Sequence, residues 1–407
     1  MAQSVNTYAD SLNGFFKEVY AAKLENLIPE GLKVYKMIEF SAKQKLGNYF
    51  HQPVILGHEH GVTFAESDDD AFNLNPPVAG QTKDAQVRGN PVVLRAALGY
   101  SAASRAAAGD AVAFMDATKY LVANMLRSIT KKMEIELLYG QIGYGAVASI
   151  AANVITIATA EYAPGIWVGA EQMPLEIRDS TGATSRGQAT VASVDLSART
   201  VTVDLMPAGV VAGDIIWHKG AYGKEFAGIH KILTNTGTLF GISASSYSLW
   251  ASSSYAVGSA SLSLAKIERA LAKAAAKGLD SDVTVLVNPN TWADLLSEQA
   301  ALRRYDQSYS GEKAEGGHKA IKFYGQTGAI SIEPSIYVKE GYSYAIDPKD
   351  FMRVGSADIT FKRPGMEGQF FKELENSAGV ELRCWSDQAL FCQAPGRQTI
   401  LSGIVNS

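Results

Sequence analysis

Apolar residues fall on a helical stripe most clearly between residues 110 and 140. Phe114, Leu121, Met125, Ile129, Met133 and Leu137 follow a first gap of seven with gaps of four throughout, so they share one helix face. Asp110 is placed to cap the start and Gly140 the end. About 30 residues at roughly 1.5 Å each give a rod of roughly 45 Å. That exceeds the usual helix length and suits an architectural spine.

Before it, the pattern is thinner. Residues 1–49 read as an arm: Tyr8 to Leu27 has helical spacing, with Phe15, Val19, Ala22 and Leu27 near one face. Pro29 and Gly31 break it, and Val34 to Phe40 is a short apolar stretch. Residues 50–99 read as a long hairpin whose limbs are His51 to Phe64 and Val87 to Leu98. The tip between them is polar, with Glu66, Asp68, Asp69, Asp70, Asn75, Pro76 and Pro77. Limbs of about 13 residues reach roughly 40 Å. Such a hairpin buries little of its own and is marginal alone, so it is expected to lie on another subunit. Its charged residues, Glu66, Asp68, Asp69, Asp70, Lys83 and Arg88, are the candidate inter-subunit contacts.

Residues 100–149 hold the long helix and the first stretch beyond it. Residues 150–250 are β-rich. Val154 to Ile157, Leu175 to Ile177, Ala189 to Val194, Thr200 to Leu205 and Asp214 to His218 recur at near-regular spacing between turn residues, the rhythm of a small barrel or sandwich inserted in the chain. Residues 251–280 return to helix, with Leu264, Ile267, Leu271 and Ala275 on one face. In 281–370, Val283 to Val287 reads as a buried strand, Asn288-Pro289-Asn290 stops it, and Thr291 to Leu302 is helical. From Ile321, and through 371–407, the pattern is mostly strand. The fold class is α+β.

Composition narrows this modestly. Charged residues make up 19% of the 407, below the usual quarter, which suits a chain that hides surface against other chains. The net charge of −4 gives no basic excess of the kind a nucleic-acid binder carries. Cys384 and Cys392 cannot build a disulfide framework or a zinc site. No run of 18 apolar residues exists; the nearest, from Gly145 to Ala158, is interrupted by Asn153 and Thr156, so no membrane partner is expected.

The chemical motifs are all better read as structure. His58-Glu59-His60 could place two imidazoles on one strand face for a metal, with His51 or the tip acids adding ligands, but flanking Gly57 and Gly61 favour a solvated loop. The acids at 66–70 lack the alternation, glycine and distal glutamate of a calcium loop. Gly140-Gln141-Ile142-Gly143-Tyr144-Gly145 follows a helix rather than the strand a dinucleotide fingerprint needs, and reads as a flexible exit from the spine. Gly311 to Lys319 has Gly317 where a phosphate-loop lysine would stand. No Gly-x-Ser-x-Gly elbow exists, Ser243 being the nearest miss, and Cys384-Trp385 sits in a strand pattern as a core thiol. No catalytic, cofactor or metal site is expected, and the chain is not expected to be an enzyme.

Three local stretches add to the order of elements: Leu27-Ile28-Pro29-Glu30, Val285-Leu286-Val287-Asn288-Pro289 before Trp292, and Tyr344-Ala345-Ile346-Asp347-Pro348. With the sequence arm, extended loop, spine helix, mixed body, the chain resembles the tailed-bacteriophage major capsid proteins of the Hong Kong 97 type over nearly its whole length. The resemblance implies an N-arm, an extended loop, a spine helix, and peripheral and axial domains. Here these would carry an added β-rich insertion domain. It implies a structural protein that builds pentamers and hexamers of itself into an icosahedral shell around double-stranded DNA, without sequence-specific binding. A portal protein and, in some relatives, a decoration protein are the implied partners. No long charged leader precedes the arm, so a separate scaffolding protein is expected. The implied location is the virion, after assembly in the bacterial cytoplasm. Bacterial nanocompartment (encapsulin-like) shell proteins share this fold and are the alternative; an unrecognised hydrolase or binding protein is the reading from another class.

Overall fold

The computed structural model describes residues 31–41, 49–68, 71–99, 111–303, 321–362, 372–374 and 379–406. The expected helix at Tyr8 to Leu27, the cap at Asp110, and the Gly311 to Lys319 loop lie outside them.

Among the described residues, the long helix, α2 (Ala111–Tyr139), is preceded by one short turn of helix, α1 (Val34–Met37). Its stripe is buried as the spacing predicts: Leu121, Met125, Ile129, Met133 and Leu137 are all 6% exposed or less. The first half of the stripe packs on Ala96, Leu382 and Cys384. These belong to a sheet in which β19 (Gly379–Cys392) is flanked by β3 (Asn90–Gly99) and β17 (Phe351–Thr360), with β18 (Lys372–Glu373) pairing briefly. Gly140 ends the helix for a reason other than a left-handed cap. A Cβ there would stand 2.2 Å from the Phe226 carbonyl oxygen, so the glycine permits a close backbone approach. Gln141 takes the left-handed turn, with φ 67°. The glycine-rich exit is not loose: Gln141 N–H donates to Glu225 Oε2 at 3.1 Å and its side chain to Glu225 O at 3.0 Å.

One pairing differs from expectation. Strand β1 (Phe50–Gly57) pairs antiparallel with β2 (Gln81–Val87), not with the run from Val87 to Leu98. That later run is β3, and it pairs with β19 over ten residues, from Asn90↔Gln388 to Gly99↔Gly379. The physical reason is burial. Ala96 and Leu98 are buried once this strand lies on the body, a stronger claim than a solvated hairpin offers. Arg88-Gly89 carries the chain across, and a Cβ at Gly89 would lie 2.5 Å from Asp387 Oδ1.

The β-rich insert comprises β4 (Gly145–Ala151), β5 (Val154–Ile157), β6 (Pro174–Arg178), β7 (Ser185–Asp195), β8 (Thr200–Val203) and β9 (Ile215–His218). These six antiparallel strands form a closed barrel, ordered β4-β5-β8-β7-β6-β9. Five match runs read from the sequence; β4 does not. Its mixture of small and apolar residues lacks clean alternation, and only Gly145 and Val147 are buried. Inward positions such as Val147, Ile155, Ile157, Leu175, Ile177, Val191, Val201 and Ile216 fill the lumen, so the barrel is a packed core. That core is continuous with the end of α2 and with Leu390 and Phe391 of β19, which fixes the barrel to the body.

A short helix, α3 (Pro164–Trp167), links β5 to β6 within the barrel; after β9, α4 (Ile229–Leu233) and the two-residue strands β10 (Thr238–Leu239) and β11 (Ile242–Ser243) lead back to the body. There the remaining strands are β12 (Ser253–Ala260), β13 (Val283–Val287), β14 (Ile321–Gly325), β15 (Gly328–Pro334), β16 (Tyr342–Ile346) and β20 (Thr399–Ile404). They form a mixed six-stranded sheet that runs β12-β20-β16-β13-β15-β14. Ile267, Ala270, Leu271 and Ala274 of α5 (Leu264–Ala275) share one core with Val283, Val285 and Val287 of β13. Helix α6 (Pro289–Arg303) comes directly after β13, as the Asn288-Pro289 stop signals.

Candidate functional site: the projecting hairpin

The β1–β2 ladder changes character along its length. At its base, Phe50 is 5% exposed and its ring meets Phe391 edge-on at 5.1 Å; Phe240 stacks on the same ring. Ala85 and Val87 are buried, and Gln86 N–H donates to Phe240 O at 2.8 Å. Beyond the ladder the limbs stay paired through His60 N–H to Val78 O at 3.1 Å and the Asn75 amide to Val62 O at 2.9 Å. From the outer end of the ladder onward the apolar residues face water. Ile55, Val62, Phe64, Phe72, Leu74 and Val78 are all exposed, Phe64 by 90%. Covering these six side chains is worth roughly 10 kcal/mol in gross transfer free energy. Exposed apolar side chains gathered on one projection are what an interaction site presents.

The charged candidates divide along the same axis. Glu66 and Asp68 are exposed at the tip, while Asp69 and Asp70 lie outside the described residues. Lys83 sits within the ladder opposite Val54, its ammonium 5.9 Å from the centre of the Tyr247 ring. Arg88 is exposed just after β2. The structure thus separates the acids from the two cations by the projecting part of the hairpin. A pair that spacing did not reveal is His51 Nδ1 with Asp84 Oδ2, 2.6 Å apart across the ladder; that hydrogen bond holds the Asp84 carboxyl below its ordinary value. His58 and His60 are exposed. Among the described residues, no three His, Cys, Asp or Glu side chains come together as a metal site. No helix among them is long and apolar enough to cross a membrane.

The densest polar cluster is internal. Lys339, with a side chain 1% exposed, donates to Glu161 Oε2 at 2.6 Å, and Tyr342 OH donates to Glu161 Oε1 at 2.9 Å. His230 Nδ1 lies 2.8 Å from Tyr344 OH, and burial lowers the imidazole pKa to about 3. These groups are satisfied by one another, which makes the cluster a strut between the barrel and the body. Cys384 and Cys392 are fully buried, and burial pushes the Cys384 thiol up to about 11, as a core thiol requires. Ser243, half-buried at the end of β11, hydrogen-bonds the Ser245 hydroxyl at 2.8 Å, a contact that brings no base to it.

No protein-family model matches the chain, and no curated protein matches it. Solved structures do. The capsid of cyanophage A-1(L) is similar over 95% of each chain, at 12% identity and a TM-score of 0.55. The capsid of a native GTA particle aligns over 99% of this chain and all of its own, at 8% identity and 0.49. The encapsulin of Synechococcus elongatus aligns over 97% and 95%, at 6% and 0.47. The likeness to the cyanophage capsid establishes a shared fold; the two weaker ones add nothing to it.

Proposed function

The chain has the α+β capsid fold of the Hong Kong 97 type, and from that premise we propose that it is the major capsid protein of a tailed bacteriophage. It would assemble through pentamers and hexamers into an icosahedral shell around double-stranded DNA, aided by a separate scaffold and joined to a portal. The role is geometric rather than catalytic. The observation that supports it is the projecting hairpin, whose six large apolar residues have no cover among the described residues. Closed assemblies of one chain need self-complementary or head-to-tail patches, and a protrusion with an apolar end suits the second kind. In this reading the β3–β19–β17 sheet and α2 form the peripheral domain, and the six-stranded sheet forms the axial domain around the capsomer axis.

Particle size tests this. The full-length chain, expressed with its scaffold, should elute at megadalton size and form shells in electron micrographs; a monomer or small oligomer refutes the reading. DNA inside the shells favours the phage, and a co-purifying enzyme cargo favours a nanocompartment. Removing residues 59–79 should leave a folded chain that forms no shells. The cut stops before Gln81, because β2 begins there and supports the hairpin base. Intact shells from that variant refute the role of the hairpin.

A further inference from the structure

Strand β12 stands at one end of the six-stranded sheet and pairs, among the described residues, with β20 alone. Ser253 N–H donates to Gln398 O at 2.9 Å, so the peptide groups of Ser252 and Ser254, one residue to either side, point away from β20. A row of outward N–H and C=O groups is a template for another strand. The surrounding sequence adds to that tendency. Residues 232–265 carry no charged side chain and no proline, although charged residues make up 19% of the chain. Low charge, β character and the absence of proline are the features of segments that stack into cross-β ladders. Ser254, Ala256 and Ser259 of this strand are exposed.

The charge that β12 lacks comes from the next element. Lys266 Nζ donates to Ser261 O at 2.6 Å, Lys273 Nζ to Ser254 O at 2.8 Å, and Lys277 Nζ to Ala251 O at 2.8 Å and Ser252 O at 3.3 Å. Spaced seven and four apart, the three lysines follow one line down α5 and its exit. Their ammonium groups therefore sit before the strand, on its second residue and just beyond its end. The outer half of the edge is also bent. The ladder with β20 shifts between Ala256 and Ala260, where Gly258 and Ser259 have φ of 84° and 52°. Lys273 is exposed and the other two lysines are half-buried, so water is an alternative partner for these carbonyls and the bonds add little to the fold. Their consequence lies in what they exclude. We propose that Lys266, Lys273 and Lys277 guard this edge and keep β12 from pairing with the β12 of a second copy. A second strand must displace the ammonium groups from the carbonyls it needs. Two copies meeting edge to edge also bring two lysine lines together, and like charges oppose that approach. The inference does not depend on the shell reading; a chain that assembles at high concentration through other faces has the most need of such a guard.

The test follows fibre formation by the purified full-length chain at neutral pH, read as the lag before thioflavin fluorescence rises. Lys266→Met with Lys273→Met keeps the side-chain stems and removes two ammonium groups. That pair should shorten the lag about tenfold or more, while Lys266→Arg with Lys273→Arg should match the parent chain. Adding Ser254→Pro to the methionine pair should restore the parental lag, because the Ser254 N–H faces outward and proline removes the donor a second strand needs. A methionine pair with the parental lag overturns the proposal, as does a Ser254→Pro addition that leaves the lag short. Two further measurements keep the outcome specific. Spin labels on Ala256→Cys in the methionine pair should stack roughly 4.8 Å apart in the fibres; labels that are not stacked place the pairing elsewhere and overturn the assignment. Amides of α5 and β20 should keep their protection from hydrogen exchange in the soluble methionine pair. Loss of that protection would make unfolding the cause of the fibres and also overturns the guard.

Discussion

Glu134 lies five residues before the end of α2 and is fully buried. It reaches across to the start of α1, where it accepts the backbone N–H groups of Lys33 at 2.9 Å, Val34 at 3.0 Å and Tyr35 at 2.6 Å. These are the unsatisfied donors that every helix start exposes, here capped by a residue one hundred positions away. Glu134→Ala removes all three acceptors. Val34 is fully buried, so its N–H loses any partner, at about 1–3 kcal/mol; the half-buried Lys33 and Tyr35 can turn to water and lose about 1 kcal/mol each. Relief of the carboxylate's own burial, which raises its pKa, offsets part of this. The net expectation is about 2–4 kcal/mol. The loss should be local, because Arg353 holds the other end of the segment through Nε to Ile38 O at 2.8 Å and through its carbonyl to Ser41 N–H at 2.8 Å. Hydrogen exchange is the assay. Amides of residues 33–38 should lose roughly 30- to 1000-fold in protection, the equivalent of that free energy. Amides of β13 should not change. Unchanged protection at residues 33–38, or a loss spread evenly over the chain, would refute the reasoning.

Other changes have equally definite outcomes. Gly140→Ala drives a methyl into the Phe226 and Glu136 carbonyl oxygens, at 2.2 and 2.8 Å, and should cost about 3 kcal/mol in urea unfolding; a cost under about 1 kcal/mol would remove the close-approach argument. Burial lowers the His230 pKa from 6.5 to about 3, so below pH 6.5 the unfolded chain takes up a proton that the folded chain refuses. Stability should be unaffected by this group above pH 6.5 and should fall by about 1.4 kcal/mol per pH unit between there and pH 3; His230→Gln should flatten that slope, and an unchanged slope sinks the assignment. Phe50→Ala should destabilise the single chain by about 3–5 kcal/mol, whereas Phe64→Ala should leave its melting temperature unchanged and reduce assembly. A Phe64→Ala chain that melts early would mean that the tip is part of the chain's own core.

How much was legible in the sequence depends on the range of each interaction. The α2 stripe depends on gaps of four within one helix, and five barrel strands depend on runs bounded by turns, so both could be read locally. The partner of β3 could not. Val87 to Leu98 has the same β character whether it pairs with β1, about forty residues back, or with β19, almost three hundred ahead. Only the competition for the α2 face decides, and that face is a property of the folded whole. The Lys339–Glu161 strut and the Glu134 cap were invisible for the same reason: each joins groups about a hundred or more positions apart, and each residue alone reads as an ordinary surface charge.

The hairpin shows a different limit, one that distance along the chain does not explain. Phe50, Ala85 and Val87 have the same apolar character as Ile55, Phe64 and Leu74, yet the first three are buried and the last three are exposed. A residue destined for an interface is selected to be apolar by the same transfer free energy that selects a core residue. Its composition therefore says that it is covered and not by what. The structure adds the missing fact by showing where cover runs out, between the Phe50–Val87 and Gly57–Gln81 ends of one ladder. An apolar tip left in water is unfavourable alone. Among the described residues nothing covers Ile55, Phe64 or Leu74, so removing that cost takes a second surface, which in the shell reading is another copy of the chain.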